Sequence, residues 1–300
     1  MTGDLLGLVG NTPMVPITIF SDAHPGAKVF AKAEFLNPGG SLKDRPMVRI
    51  LSKAVERGEL SDGKIVLDST SGNAGIAYAM FGRVLGLKVE LVVPGNTSRE
   101  RLMRMRAHGA LVILTDPLEG YDEALREVHR LYERDPQKYY LADQYGNDDN
   151  WLAHYETTSP EISEQVPEIT HFVGGIGTGG SITGISRRLR EYNRDVKIVS
   201  LRPERFPGIE GLKPLGEEGD IVPGILDDTL IDDYVEVTAE RSRDFCHRLA
   251  LGGLFVGQSS GANMAAVGEV LKDEPEACVV TLLNDTGERY LSTGLWESDS

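Results

Sequence analysis

Apolar and polar positions follow two periods along this chain. Short apolar, β-branched runs at 89–93, 110–114, 170–173, 197–201 and 278–283 have the length of buried strands. Stretches at 98–107, 121–132, 182–192 and 243–251 instead place apolar residues at helical spacing. Strands that alternate with helices predict an α/β fold, with mostly parallel sheets flanked by helices. A further strand at 64–67 leads to a helix at 76–84, and another helix is expected to begin near Lys43. Thr97-x-x-Glu100 reads as a capping box for the helix that follows it. The stretch 203–223, rich in Gly, Pro and charge, reads as a long surface excursion of the kind that shapes a site.

At 300 residues and 40% hydrophobic content, the chain can bury one large core or two packed ones. A formal net charge of −15, with no basic run interleaved with aromatics, excludes nucleic acid as a partner. No run approaches a membrane span, and the start Met1-Thr2-Gly3-Asp4 lacks the features of a signal peptide, so a cytoplasmic location is expected. Cys246 and Cys278 form no Cys-x-x-Cys pair, and the six histidines lack metal-site spacing, so no disulfide scaffold and no metal are expected.

Four segments carry chemistry. Asn37-Pro38-Gly39-Gly40-Ser41-Leu42-Lys43-Asp44-Arg45 is a Gly-rich turn that brings a lysine to a helix amino terminus, where the helix dipole and burial both favour loss of its proton. Asp68-Ser69-Thr70-Ser71-Gly72-Asn73-Ala74-Gly75 lies between a strand and a helix, and its amides and hydroxyls suit a carboxylate or a phosphate. Gly174-Gly175-Ile176-Gly177-Thr178-Gly179-Gly180-Ser181 occupies the same kind of position, and its glycines let an anion approach the backbone. It also fits the dinucleotide fingerprint at 175, 177 and 180, with Glu204 placed for a ribose, so a nicotinamide-dependent oxidoreductase is a rival reading. That rival leaves the first two segments unexplained. Gly257-Gln258-Ser259-Ser260-Gly261 matches the serine-hydrolase elbow, but no histidine follows Ser259, since the last is His247.

Taken in order, these segments resemble the cysteine synthases (O-acetylserine sulfhydrylases), particularly the B-type, and their relative cystathionine β-synthase, of the tryptophan-synthase-β fold type. The match runs from Gly10-Asn11-Thr12-Pro13 to Gly287-Glu288-Arg289-Tyr290-Leu291-Ser292-Thr293. The resemblance implies a two-domain fold type II enzyme of pyridoxal 5'-phosphate (PLP), with a smaller mobile domain at 43–147 and a larger PLP-anchoring one at 1–42 plus 148–300. It further implies that Lys43 carries the cofactor as a Schiff base and acts as the catalytic base. Asn73 would then contact the ring hydroxyl, Gly177, Thr178, Gly179, Gly180 and Ser181 the phosphate, and Ser259 the ring nitrogen. Thr70, Ser71, Gly72, Asn73 and Gln144 would bind the substrate carboxylate. The implied reaction makes L-cysteine from an activated serine, O-acetylserine by default, and sulfide through an α-aminoacrylate. O-phosphoserine, thiosulfate and cystathionine β-synthase-like chemistry are the alternatives. A homodimer that can bind serine acetyltransferase is implied as well. The sequence departs from the family pattern at Gly39-Gly40, Ala74 and Arg202, and Lys213 and Arg205 stand near where some relatives bind a phosphate or thiosulfate.

Overall fold

The computed structural model describes residues 5–297, so the amino-terminal tetrapeptide read above for a signal lies outside the described residues. Its strands are β1 Met14–Pro16, β2 Lys28–Ala33, β3 Ile65–Ser69, β4 Lys88–Pro94, β5 Leu111–Thr115, β6 Tyr139–Leu141, β7 His171–Gly175, β8 Lys197–Pro203, β9 Asp233–Val237 and β10 Cys278–Leu283. Its helices are α1 Asp44–Glu56, α2 Asn73–Val84, α3 Arg99–Ala107, α4 Gly120–Arg134, α5 Asp149–Ala153, α6 Ser159–Gln165, α7 Gly180–Tyr192, α8 Ala239–Leu251 and α9 Gln258–Asp273.

Two sheets organise the chain. One runs β5-β4-β3-β6 and is parallel throughout; the other runs β1-β2-β10-β7-β8-β9 and is parallel except where β1 meets β2. Helices cover both faces, so β10 is buried along its whole length and reads as the unbroken apolar run Cys278-Val279-Val280-Thr281-Leu282-Leu283. Its neighbour β7 packs with α6 and α7 on one side through Ile162, Ile182 and Ile185, while Val279 and Val173 face Met264 and Val267 of α9 on the other. The smaller sheet buries Val66, Leu91 and Val93 against Ile50 and Leu51 of α1 and Ile76 and Phe81 of α2. Both chemistry-bearing loops leave the carboxyl ends of parallel strands, 70–72 from β3 and 176–179 from β7, which is where open α/β sheets place their ligands.

The predicted elements at 89–93, 98–107, 110–114, 121–132, 182–192 and 278–283 are found with ends moved by one or two residues. The capping box is not. Ser98, not Thr97, precedes the first turn of α3, and its hydroxyl donates to the Arg289 carbonyl, while Glu100 accepts from Ser292. Both side chains are drawn to the 287–293 segment, a tertiary partner that outcompetes the local cap. Among the described residues no helix is long and apolar enough to cross a membrane. Cys246 and Cys278 are buried free thiols, and burial pushes them up to about 12 and about 11.

Candidate active site

Lys43 stands immediately before α1, and its place is set from two directions. Ser41 bridges to Asp285 and the Leu42 amide donates to the Asn284 carbonyl at 2.9 Å, tying the turn to the end of β10. Two residues further on, Arg45 is locked by Glu34 and Glu161, with Nη2 2.7 Å from Glu34 Oε1 and Nη1 2.7 Å from Glu161 Oε1. The lysine amine lines a cavity of about 1110 Å³ between the two sheets. Burial pushes it down to about 8, against the pull of the Asp68 carboxylate, which burial itself pushes up to about 7.

The loop after β3 is built around one hydroxyl. Thr70 Oγ1 accepts from the Gly72 amide at 3.0 Å and the Gly75 amide at 2.9 Å, which curls the chain into α2 and leaves its own hydrogen to donate. Thr70, Ser71, Asn73 and Ala74 line the cavity, whereas Gly72 turns against Arg101. The Asn73 side chain is held: Nδ2 donates to Asp285 Oδ2 at 2.7 Å and Oδ1 accepts from Arg289. Gln144 also lines the cavity, with its amide nitrogen donating to the Ser69 carbonyl at 2.7 Å.

The loop after β7 is a cradle that side chains would fill. A Cβ on Gly177 would lie 2.6 Å from the Gly211 carbonyl oxygen, and one on Gly180 would lie 2.1 Å from Asn150 Oδ1. Gly179 adopts φ +82°, which glycine tolerates best, and caps α7. The Gly180 amide donates to Thr178 Oγ1 at 3.4 Å, a long bond, and the first turn of α7 points its amides toward the loop, the usual setting for an anion. Asn150 braces this loop through Thr178 Oγ1 at 3.1 Å and the Gln144 carbonyl at 2.6 Å, and its Oδ1 is buried without a partner. Gly177 and Thr178 line the cavity that holds Lys43, so an amine able to form an imine and a phosphate-sized cradle share one space. These residues fit pyridoxal phosphate.

Ser259 opens α9, and its Oγ accepts from Asn284 Nδ2 at 2.9 Å. His247 bonds instead to the Leu295 carbonyl at 2.9 Å, so the elbow carries no hydrolase triad. Glu204, the ribose candidate of the dinucleotide reading, accepts from the Ala239 amide at the start of α8. The excursion after β8 is not a solvated flap: its segment 207–215 forms a wall of the cavity. Its two singled-out cations are already matched, Lys213 with Asp122 of α4 at 3.0 Å and Arg205 with Asp220 at 2.8 Å. Arg202 lies 4.0 Å over the Tyr234 ring and is not among the residues that line the cavity.

Sequence reasoning missed a second tier of residues. Asp285 accepts from Asn73 and from Tyr290 Oη at 2.8 Å; Arg289 reaches both Asn73 and the Gly39 carbonyl; Asp44 accepts from the Gly39 amide. Burial pushes Asp44 up to about 7, against the Gly39 amide and the charges of Arg289 and Arg104. The unusual Gly39 has a reason here, since a Cβ would lie 2.3 Å from Asp44 Oδ1. Gly39 and Asp44 stand in the first motif and Arg289 in the closing one, but Asp285 carried no sequence signal.

A buried lysine before α1 and a glycine cradle after β7, lining one cavity, define a cofactor enzyme. Residues 5–285 match the family described as pyridoxal-phosphate dependent enzyme, and the chain belongs to it. It is 45% identical over 301 residues to a cysteine synthase of Aquifex aeolicus, covering 97% of this chain and 91% of that one. It is 40% identical to cysteine synthase B of Escherichia coli, covering 96% and 94%. Among solved structures, O-ureido-L-serine synthase superposes with a TM-score of 0.90 at 34% identity, covering 100% of this chain and 96% of that one. The O-acetylserine dependent cystathionine beta-synthase of Helicobacter pylori gives 0.88 at 33%, covering 99% of each.

Proposed function

We propose that this chain makes L-cysteine by β-replacement, exchanging the acetoxy group of O-acetyl-L-serine for sulfide, with pyridoxal phosphate carried on Lys43. The observation that carries the reading is the shared cavity: the depressed lysine, the anion loop at Thr70 and the phosphate cradle at Gly177 all open into it. The cysteine synthases of A. aeolicus and E. coli support the choice of reaction.

When bound, the cofactor supplies an electron sink that lets the α-proton and β-substituent of an amino acid leave. Lys43 would take the proton from the donor's Cα; with its pKa pushed down to about 8, roughly a tenth of the amine is the free base at pH 7, far more than for an ordinary lysine. The Thr70 hydroxyl and the residues Ser71 and Asn73 beside it hold the donor carboxylate at the amino end of α2, where the dipole favours an anion. Ser259 accepts from Asn284, which leaves its hydroxyl hydrogen free to donate, and as a neutral partner it would hold the cofactor's ring nitrogen without protonating it. The segment 207–215 supplies part of the cavity wall beside the Thr70 and Gly177 loops.

The test is an assay of the purified holoenzyme with O-acetyl-L-serine, followed for cysteine and acetate, with sulfide, thiosulfate and homocysteine as acceptors. Cysteine formed from sulfide with equal release of acetate is expected. Failure to release acetate with any acceptor would refute the reading. From the same resemblance we take the working unit to be a homodimer, which light scattering checks.

A further inference from the structure

Arg101 and Glu210 face each other in the cavity, and the reaction proposed above uses neither. Arg101 comes from α3 beside the smaller sheet, and Glu210 from the excursion after β8. The Arg101 side chain is 3% exposed, pairs with Glu210, lies 4.5 Å over the Tyr290 ring and keeps its Nε buried without a hydrogen-bond partner. Its stem presses on the loop after β3, since a Cβ on Gly72 would lie 2.3 Å from Arg101 Cδ. A guanidinium therefore stands directly behind the turn assigned to the donor carboxylate.

Left uncompensated, such a planar fork would recruit a phosphate, because its paired donors match phosphate oxygens. The Glu210 carboxylate pairs with one tip of that fork, Arg101 Nη1, and neutralises its charge, and the Glu210 backbone is held by its amide, which donates to Gln258 Oε1 at 3.1 Å. Lys213 and Arg205 are matched in the same way by Asp122 and Asp220. We propose that Glu210 is a specificity residue: by masking Arg101 it sets the donor site for amino acids whose β-substituent carries no net charge and rejects those that carry a phosphate. This rests on the β-replacement reading and adds the donor class to it.

The experiment compares the parent holoenzyme with Glu210→Gln, which keeps the size of the side chain and an acceptor for Arg101. Specificity constants for cysteine formation are measured with O-acetyl-L-serine and O-phospho-L-serine at fixed ionic strength, and inorganic phosphate is titrated calorimetrically into each protein. Glu210→Gln is expected to raise the phosphoserine-to-acetylserine ratio at least tenfold, to tighten phosphate binding by a similar factor, and to lose both gains at high salt. Glu210→Asp, which retains the charge, is expected to keep the parent ratio. An unchanged ratio and phosphate affinity in Glu210→Gln, or a ratio raised equally by Glu210→Asp, overturns the proposal. A parent that turns over neither donor refutes the β-replacement reading, and the phosphate titration then decides the role of Glu210 by itself.

Discussion

Arg45 and Glu34 meet as a two-pronged pair, Nη2 to Oε1 at 2.7 Å and Nε to Oε2 at 2.8 Å, with side chains 2% and 0% exposed. Glu34 also accepts from Thr12 Oγ1 at 2.7 Å and Asn37 Nδ2 at 2.9 Å, so its lone pairs are well used and the start of α1 is anchored to the larger sheet. A buried charge left alone costs far more than the pair contributes. Arg45→Met should therefore destabilise the fold by about 3–5 kcal/mol, read from urea unfolding of the apoenzyme. A loss below about 1 kcal/mol would place the pair among ordinary surface bridges.

Asp44 gives a pH signature of known sign. Its folded value is raised to about 7 by burial, above the ordinary value of 3.8, so the folded state binds the extra proton between those values. The stability it contributes is complete below about pH 4 and is lost as the pH rises through about 7. Asp44→Asn still offers an oxygen to the Gly39 amide but cannot ionise. Between pH 5 and pH 8 the parent should lose about 2–4 kcal/mol more stability than the variant. Parallel stability profiles would remove the assignment.

The cradle at Gly177 leaves no room for a methyl group, because the obstacle is the Gly211 backbone and not a movable side chain. Gly177→Ala should keep the fold but weaken pyridoxal phosphate binding at least about tenfold, the loss of one charge-assisted contact. Spectral titration of the apoenzyme reads this directly. Unchanged affinity would mean that the phosphate sits elsewhere.

Much of this was legible along the chain because it depends on local order. The buried strand β10 showed itself as an apolar run, and the three glycines of the cradle showed themselves as a strand-to-helix turn. The second tier was not legible, because its linking contacts join distant segments, Asn73 to Asp285 across 212 residues and Arg289 to Gly39 across 250, and its short ones, Asp44 to Gly39 and Tyr290 to Asp285, follow no motif spacing. The same reason explains the misread cap, since Ser98 and Glu100 serve partners in the 287–293 segment. Lys213 and Arg205 read as open anion sites only because their acids, Asp122 and Asp220, approach them through the fold. Short strands such as Met14–Pro16 and Tyr139–Leu141 carry too few residues to show a period.

The central claim is that Lys43 holds the cofactor, and borohydride trapping tests it most directly. The yellow holoenzyme is reduced, digested and mapped by mass spectrometry, with the Lys43→Ala variant treated in parallel. A single reduced pyridoxyl adduct is expected on Lys43 and none in the variant. An adduct on any other lysine of the parent, or an unmodified Lys43 after reduction of a fully loaded enzyme, would contradict it.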